Sequence, residues 1–285
     1  MKIATCQFPI SANIGRNAST IEQQLVEAAG QRAKVVHFPE CALSGYAGVD
    51  FEDWGGQDWS GRNRNGFDWD LLQEASRRII GLWKKQRISV LLGSTHRLRR
   101  NLPHNSVYVI NPSGKIVDRY DKRFCTGKDL KLYSPGNHPC RFKIGKFRCA
   151  VAICHDVRYP ELFRDHKRAG VDIVFHSFYN ARTKGQTDHS AIMLPTVQAH
   201  CGSNYMWSSV ANACGYYQSW PSAFVLPDGS IAGRLRQHRR GILISDVTRK
   251  SDFRDASEFR VEAMQGALHS GRSVSEPRSR NRTEL

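Results

Sequence analysis

Lys34-Val35-Val36-His37-Phe38-Pro39-Glu40 is a short β-rich run that a proline stops. Before it, Ile21, Leu25, Val26 and Ala29 recur at helical spacing between Thr20 and Ala33, and residues 13–19 carry turn and cap residues. Residues 2–8 read as a buried strand. Strand, helix and strand within about 40 residues is the size of a βαβ unit. The same alternation continues downstream. An amphipathic helix is expected over Leu71 to Gln86, ending in Lys84-Lys85, and a buried strand over Ile88 to Ser94. Asn105 to Asn111, the turn Pro112-Ser113-Gly114-Lys115 and Ile116 to Tyr120 read as strand, turn and strand. Lys146 to Cys154 is a strand, Tyr159 to Ala169 a helix with proline in its first turn, and Val171 to Ser177 a strand. Thr187 to Gly202 is expected to be helical despite Pro195, followed by a strand at Met206 to Ala211. A hairpin over Ala223 onward through Pro227-Asp228-Gly229-Ser230 and a last strand at Gly241 to Val247 complete the list. The class is α/β, and the two hairpins call for a mixed rather than a purely parallel sheet.

Composition sets outer limits. The 285 residues suffice for two domains or one large one without disulfide or metal staples. No run of about 18 apolar residues exists, so no transmembrane helix and no membrane role are expected. Met1 to Pro9 turns polar too soon for an export signal, so a reducing, cytoplasmic setting is expected. The eight cysteines include no C-x-x-C pair, which argues against zinc and thioredoxin-like chemistry. The net charge of +16 raises nucleic acid or anionic ligands, yet no Gly-rich phosphate loop or nucleic-acid motif accompanies it, so a nucleic-acid partner is not expected. Ser270 to Leu285 has little to bury and is expected to be mobile or to pack on a partner.

Three residues stand at or just after expected strand ends, where ligands of α/β proteins bind: Glu40, Lys122 and Cys154. Their separations exclude a local motif, so only the fold can join them. Together they make a thiol hydrolase conceivable. A nearby cation and the start of a helix are expected to lower the Cys154 pKa. A carboxylate can take the thiol proton and later activate water, and Lys122 with the His155 backbone N–H can hold an oxyanion. A catalytically silent basic scaffold remains the rival reading, since each residue alone is more often structural.

The three surrounding segments resemble the motifs of the nitrilase, or carbon–nitrogen hydrolase, superfamily. Phe38-Pro39-Glu40-Cys41-Ala42-Leu43-Ser44-Gly45-Tyr46 is similar to its glutamate motif. Tyr120-Asp121-Lys122-Arg123-Phe124 with Tyr133-Ser134-Pro135-Gly136 is similar to its lysine motif. Ile153-Cys154-His155-Asp156-Val157-Arg158-Tyr159-Pro160-Glu161 is similar to its nucleophile motif. The resemblance covers about residues 1–250. It implies a four-layer αββα sandwich of two mixed sheets, here a domain over 1–265 with a basic tail over 266–285, and a homodimer or higher homo-oligomer. It implies Glu40, Lys122 and Cys154 as catalytic residues, with the His155 N–H at the oxyanion. It implies no metal and no cofactor, and hydrolysis of a small amide through a thioester. A nitrile or an N-carbamoyl amine is the alternative substrate. Asp129 stands where many members carry a second glutamate, and Ser203 stands in place of another.

Tyr46, Asp129, Tyr133, Phe178, Tyr179 and Asn180 are candidate substrate contacts by their strand-end positions. Lys128 and Lys131 flank Asp129 and suggest positive charge at the pocket mouth. Trp54, Trp59, Phe67 and Trp69 follow the glutamate motif and suggest an aromatic lid. Arg234, Arg236, His238, Arg239 and Arg240 form a basic cluster that reads as a solvated loop or an anion site.

Overall fold

The computed structural model describes residues 1–55, 67–179, 188–215 and 217–248, and beyond these 253–255, 257–258, 261, 265, 276–280 and 282; the side chains of 188, 189 and 278 lie outside the description. Its elements, in order, are β1 (Lys2–Gln7), α1 (Ile14–Gly30), β2 (Val35–His37), α2 (Trp69–Gln86), β3 (Ser89–His96), β4 (His104–Ile110), β5 (Ile116–Asp121), β6 (Arg141–Ile144), β7 (Phe147–Ile153), α3 (Pro160–Arg168), β8 (Ile173–Phe178), α4 (Asp188–Asn204), β9 (Trp207–Asn212), β10 (Ala223–Val225), β11 (Ile231–Arg234) and β12 (Gly241–Asp246). A helical turn at Pro277–Arg280 follows.

They form two six-stranded sheets, β12-β1-β2-β3-β4-β5 and β11-β10-β9-β8-β7-β6. Each has a parallel trio, β1-β2-β3 and β7-β8-β9, flanked by antiparallel strands. The sheets are therefore mixed, as the hairpins require. β1 lies over β9 and β4 over β7. The apolar layer between the sheets includes Ile3, Val35, Leu91, Val107, Cys149, Val151 and Phe175. On the outer face of the first sheet α1 buries Ile14, Ala18, Ile21, Leu25 and Ala28, a stripe repeating every three or four residues. α2 buries Leu72, Ala75, Ile79 and Trp83 beside it. α3 and α4 cover the second sheet, where Leu162 and Phe163 pack on Ala150, Ala152 and Val174. The layers run αββα.

Three sequence expectations shift. α1 starts six residues earlier than its apolar repeat suggests, because the Asn13 side chain caps it by accepting from Arg16 N–H. Val26 lies off the buried stripe and is half exposed. β6 was not expected. It is a four-residue edge strand with Arg141 and Lys143 at alternate positions, paired antiparallel with β7. Of the expected tail over 266–285, residues 266–275 lie outside the described residues.

Candidate active site

β2 ends at His37, and the chain then turns sharply through Pro39-Glu40-Cys41, with Cys41 at a φ of 53°. The turn presses on β3 at Gly93, where a Cβ would lie 1.9 Å from the Pro39 carbonyl oxygen. Only glycine leaves room for that crossing. Past the turn, the Leu43 N–H donates to the Gly93 carbonyl.

This places Glu40 in the interior with no exposed surface. Its Oε1 accepts from Lys122 Nζ at 3.0 Å and from Asn105 Nδ2 at 2.7 Å, and its Oε2 accepts from the Tyr179 backbone N–H at 2.8 Å. Burial pushes the Glu40 carboxyl above its usual range; Lys122 opposes the rise and Asp129 adds to it.

Lys122 follows β5 and is equally buried. Its ammonium donates to Glu40 Oε1, to Asp129 Oδ2 at 2.9 Å and to Tyr46 Oη at 3.4 Å. Burial opposes its charge, but Glu40 and the surrounding acidic groups prevail and hold its pKa well up. Asp129 sits in a 3₁₀ turn, Asp129–Lys131, and accepts from Tyr46 Oη at 2.6 Å and from Thr126 N–H at 2.9 Å. Burial raises its pKa, yet Lys122 and these hydrogen bonds outweigh it, so the carboxyl lies below the usual range.

β7 ends at Ile153, and Cys154 opens a 3₁₀ turn, Cys154–Arg158, at a φ of 44°. Asp156 anchors this turn. Its Oδ2 accepts from Ile153 N–H at 2.8 Å and from Tyr120 Oη at 2.7 Å, and its Oδ1 accepts from Phe124 N–H at 3.0 Å. Tyr120 and Phe124 bracket Lys122, so one buried carboxylate fixes the nucleophile turn and the lysine segment together. Cys154 is partly buried, and its thiol lies close enough to Glu40 and Lys122 to feel both charges. Contrary to the expectation of a lowered pKa, the thiol is pushed well up. Burial is the largest cause, then the Glu40 charge; Lys122 opposes both and does not prevail. A buried thiol beside a carboxylate keeps its proton until a base takes it.

Glu40, Lys122 and Cys154, separated by 82 and 32 residues in the chain, thus come together at one place, Glu40 and Lys122 as a hydrogen-bonded ion pair and Cys154 within reach of both charges. A model described as carbon-nitrogen hydrolase matches residues 2–251. The chain belongs to the carbon–nitrogen hydrolase family. The hydrolase is 23% identical over 255 residues to "Hydrolase in agr operon" of Staphylococcus aureus, covering 83% of this chain and 87% of that one. It is 24% identical over 192 residues to an omega-amidase of Homo sapiens, covering 64% of this chain and 65% of that one. Among solved structures it superposes on the amidase from Nesterenkonia sp. AN1 with a TM-score of 0.73 at 20% identity, covering 87% of this chain and 93% of that one. That structure shows the result of Michael addition of acrylamide at the active site cysteine of that amidase.

The other candidate residues of the hydrolase divide. Tyr46 joins the ion-paired group directly. Tyr179 contributes its backbone N–H to Glu40, while its hydroxyl donates to Asp50 at 3.0 Å. Tyr133 is buried, and its oxygen accepts from Ala47 N–H at 2.9 Å, so it braces the glutamate turn. Phe178 packs its side chain against His176 and Trp220 in the cluster under α4 that Cys154 also joins, and its carbonyl accepts from Glu40 N–H at 3.3 Å. Asn180 and Trp59 lie outside the described residues. His155 stands next to Cys154, its ring 5.7 Å from that of Tyr159.

Trp54, Phe67 and Trp69 stack on one another, and Trp54 packs on Tyr133, so this part of the expected lid is a fixed aromatic wall. Lys128 and Lys131 are exposed. The basic cluster is an exposed loop whose Arg236 and Arg239 carbonyls accept from Gln7 Nε2.

Asn105 and Asp156 were missed as site residues. Asn105 carried no signal beyond its place on a strand, and Asp156 was read only as part of a motif. Among the described residues no three His, Cys, Asp or Glu side chains converge as a metal group would require, and no helix is long and apolar enough to cross a membrane.

Proposed function

We propose that this enzyme hydrolyses the C–N bond of a small carboxamide through a thioester on Cys154, with Glu40 as general base and acid and Lys122 as oxyanion holder. The observation that carries the reading is the Cys154 thiol within reach of the charge of a carboxylate that Lys122, Asn105 and the Tyr179 N–H already hold. Glu40 takes the thiol proton as sulfur attacks the amide carbon. Lys122 and the His155 N–H receive the developing oxygen charge. Protonated Glu40 gives its proton to the nitrogen, the C–N bond breaks and ammonia leaves. Water then loses a proton to Glu40 and attacks the thioester. Sulfur leaves and recovers that proton, and the carboxylic acid is released.

The family and its amidase relatives support the amide as substrate, as do the names of the omega-amidase of Homo sapiens and the 2-oxoglutaramate amidase of Bacillus subtilis, 25% identical over 179 residues. The raised thiol supports proton transfer at the moment of attack rather than a resting thiolate. Residues 1–265 as the catalytic unit, 266–285 as a tail, and self-association in the cytoplasm complete the proposal.

Ammonia release from acetamide, butyramide, the matching nitriles and N-carbamoyl amines tests it. Turnover of amides, with hydroxylamine diverting the intermediate to a hydroxamate, is expected. Turnover of nitriles alone, or amide turnover that survives Cys154→Ala, overturns it.

A further inference from the structure

His37 ends β2 fully buried between the two sheets, outside the catalytic group. Its Nδ1 lies 2.9 Å from Ser209 Oγ and its Nε2 lies 2.9 Å from Ser177 Oγ. Ser177 Oγ donates to the Phe38 carbonyl at 3.0 Å, and Ser209 Oγ lies 2.7 Å from Thr5 Oγ1. Proton counting gives these contacts a direction. A carbonyl only accepts, so the single Ser177 proton is committed to Phe38, and the Ser177 oxygen receives the proton of His37 Nε2. Nδ1 of the neutral ring is then the acceptor, filled by the Ser209 hydroxyl, which in turn accepts from Thr5. Burial keeps the ring neutral, pushing its pKa down to about 3. The chain runs Thr5, Ser209, His37, Ser177, Phe38 carbonyl, and each of its four contacts crosses from one sheet to the other.

Its end point lies two residues before Glu40. The β2 ladder stops at His37, so the turn past it depends on other contacts. The end of β8 supplies them in sequence: Ser177 Oγ to the Phe38 carbonyl, the Phe178 carbonyl to Glu40 N–H, and the Tyr179 N–H to Glu40 Oε2. Resting on the reading of Glu40 as the base, we propose that His37 and Ser177 are positioning residues: their hydrogen bond commits the Ser177 hydroxyl to the Phe38 carbonyl and so locks the turn that aims Glu40 at Cys154. A serine alone can rotate its proton elsewhere; with His37 donating to it, it cannot.

The test uses the full chain with His37→Phe, which keeps an aromatic ring and loses both bonds, Ser177→Ala, which removes the relay with the least change in volume, the double variant, and His37→Gln, which restores a donor and an acceptor. Two pH profiles are read. One is kcat and KM on butyramide; the other is the alkylation rate of Cys154 by iodoacetamide, which reports on Glu40 and the thiol without turnover. His37→Phe and Ser177→Ala are expected to lower kcat about 10- to 100-fold with KM within about threefold, as misplacement of a catalytic group does. The acid limb of both profiles moves to higher pH, because a carboxylate that leaves the Tyr179 N–H loses a donor favouring its charged form. The double variant is no worse than the worse single, and His37→Gln recovers most of the loss.

Thermally stable His37→Phe and Ser177→Ala proteins with wild-type kcat and unmoved limbs overturn the proposal. So does a double variant whose losses multiply, or a folded His37→Gln as slow as His37→Phe. If the wild type releases no ammonia from any amide, the reading of the reaction fails, while the alkylation profiles still decide whether His37 and Ser177 position Glu40.

Discussion

The turn after β2 and the turn after β7 are built alike and held differently. Each follows a parallel strand, and each puts a cysteine at positive φ, Cys41 at 53° and Cys154 at 44°. In the first, the functional side chain is itself gripped: both Glu40 oxygens are engaged, by Lys122, Asn105 and the Tyr179 N–H. In the second, a neighbour is gripped instead. Asp156 takes three donors from Ile153, Tyr120 and Phe124, while no comparable set of hydrogen bonds holds the Cys154 side chain itself among the described residues. In the proposed reaction a base must hold one geometry through four proton transfers, and a nucleophile must move to reach carbon. Fixing the carboxylate directly and the thiol only through its backbone suits those two proposed roles.

The largest expected effect separates the two turns by activity and stability. Cys154→Ala should remove amide turnover by at least about 10⁴-fold, as loss of a covalent nucleophile does, and should leave the melting temperature close to wild type. A large drop in melting temperature would break the comparison. Glu40→Gln should lower kcat by about 10²- to 10⁴-fold. Unlike the cysteine variant it should also destabilise the fold, by about 1–3 kcal/mol. The new NH₂ group must face either the Tyr179 N–H or the Lys122 and Asn105 donors, and chemical denaturation reads the difference.

Asp156→Asn sharpens the second half of the comparison. Its amide can accept on one side only, leaving at least one of the Ile153, Tyr120 and Phe124 donors unmet, and should cost about 1–3 kcal/mol. Alkylation of Cys154 should lose its single well-defined rate as the turn loosens. Gly93→Ala attacks the first turn from β3 and should destabilise by about 1–3 kcal/mol through overpacking, with lower kcat because the Pro39 carbonyl must move.

The smallest effect concerns pH. His37 is held down to about 3 from 6.5, so the unfolded chain binds its proton first as pH falls. Its contribution is complete above about pH 6.5 and is lost progressively down to about pH 3. Between pH 7 and 5 the wild type should lose about 2 kcal/mol more than His37→Gln. Some slope remains in the variant, because burial also lowers His176, His200 and His166, the last to about 4. Equal slopes would show that His37 is not neutral in the fold.

Much of this is legible in the chain. Apolar periodicity locates the central strands and helices, since a buried stripe or a buried run leaves few alternatives; β6, short, polar and at an edge, leaves no such trace. The three motifs mark Glu40, Lys122 and Cys154 in register. Phe178 shows the limit of the method. It ends β8 one residue before Tyr179, and only the sheet's pleat decides that its ring goes under α4 while its carbonyl goes to Glu40.

The family, the α/β class and the candidate reacting groups are therefore properties of the sequence by itself, because they rest on local pattern and residue type. The protonation and the bracing of those groups are not. Cys154 rests as thiol first because the fold buries it and next because a carboxylate more than a hundred residues away lies beside it. Whether Glu40 holds still depends on Asn105, Tyr179 and Ser177, all on other strands or turns. Charge–charge and burial energies follow distance in space, and only the closed sandwich sets those distances.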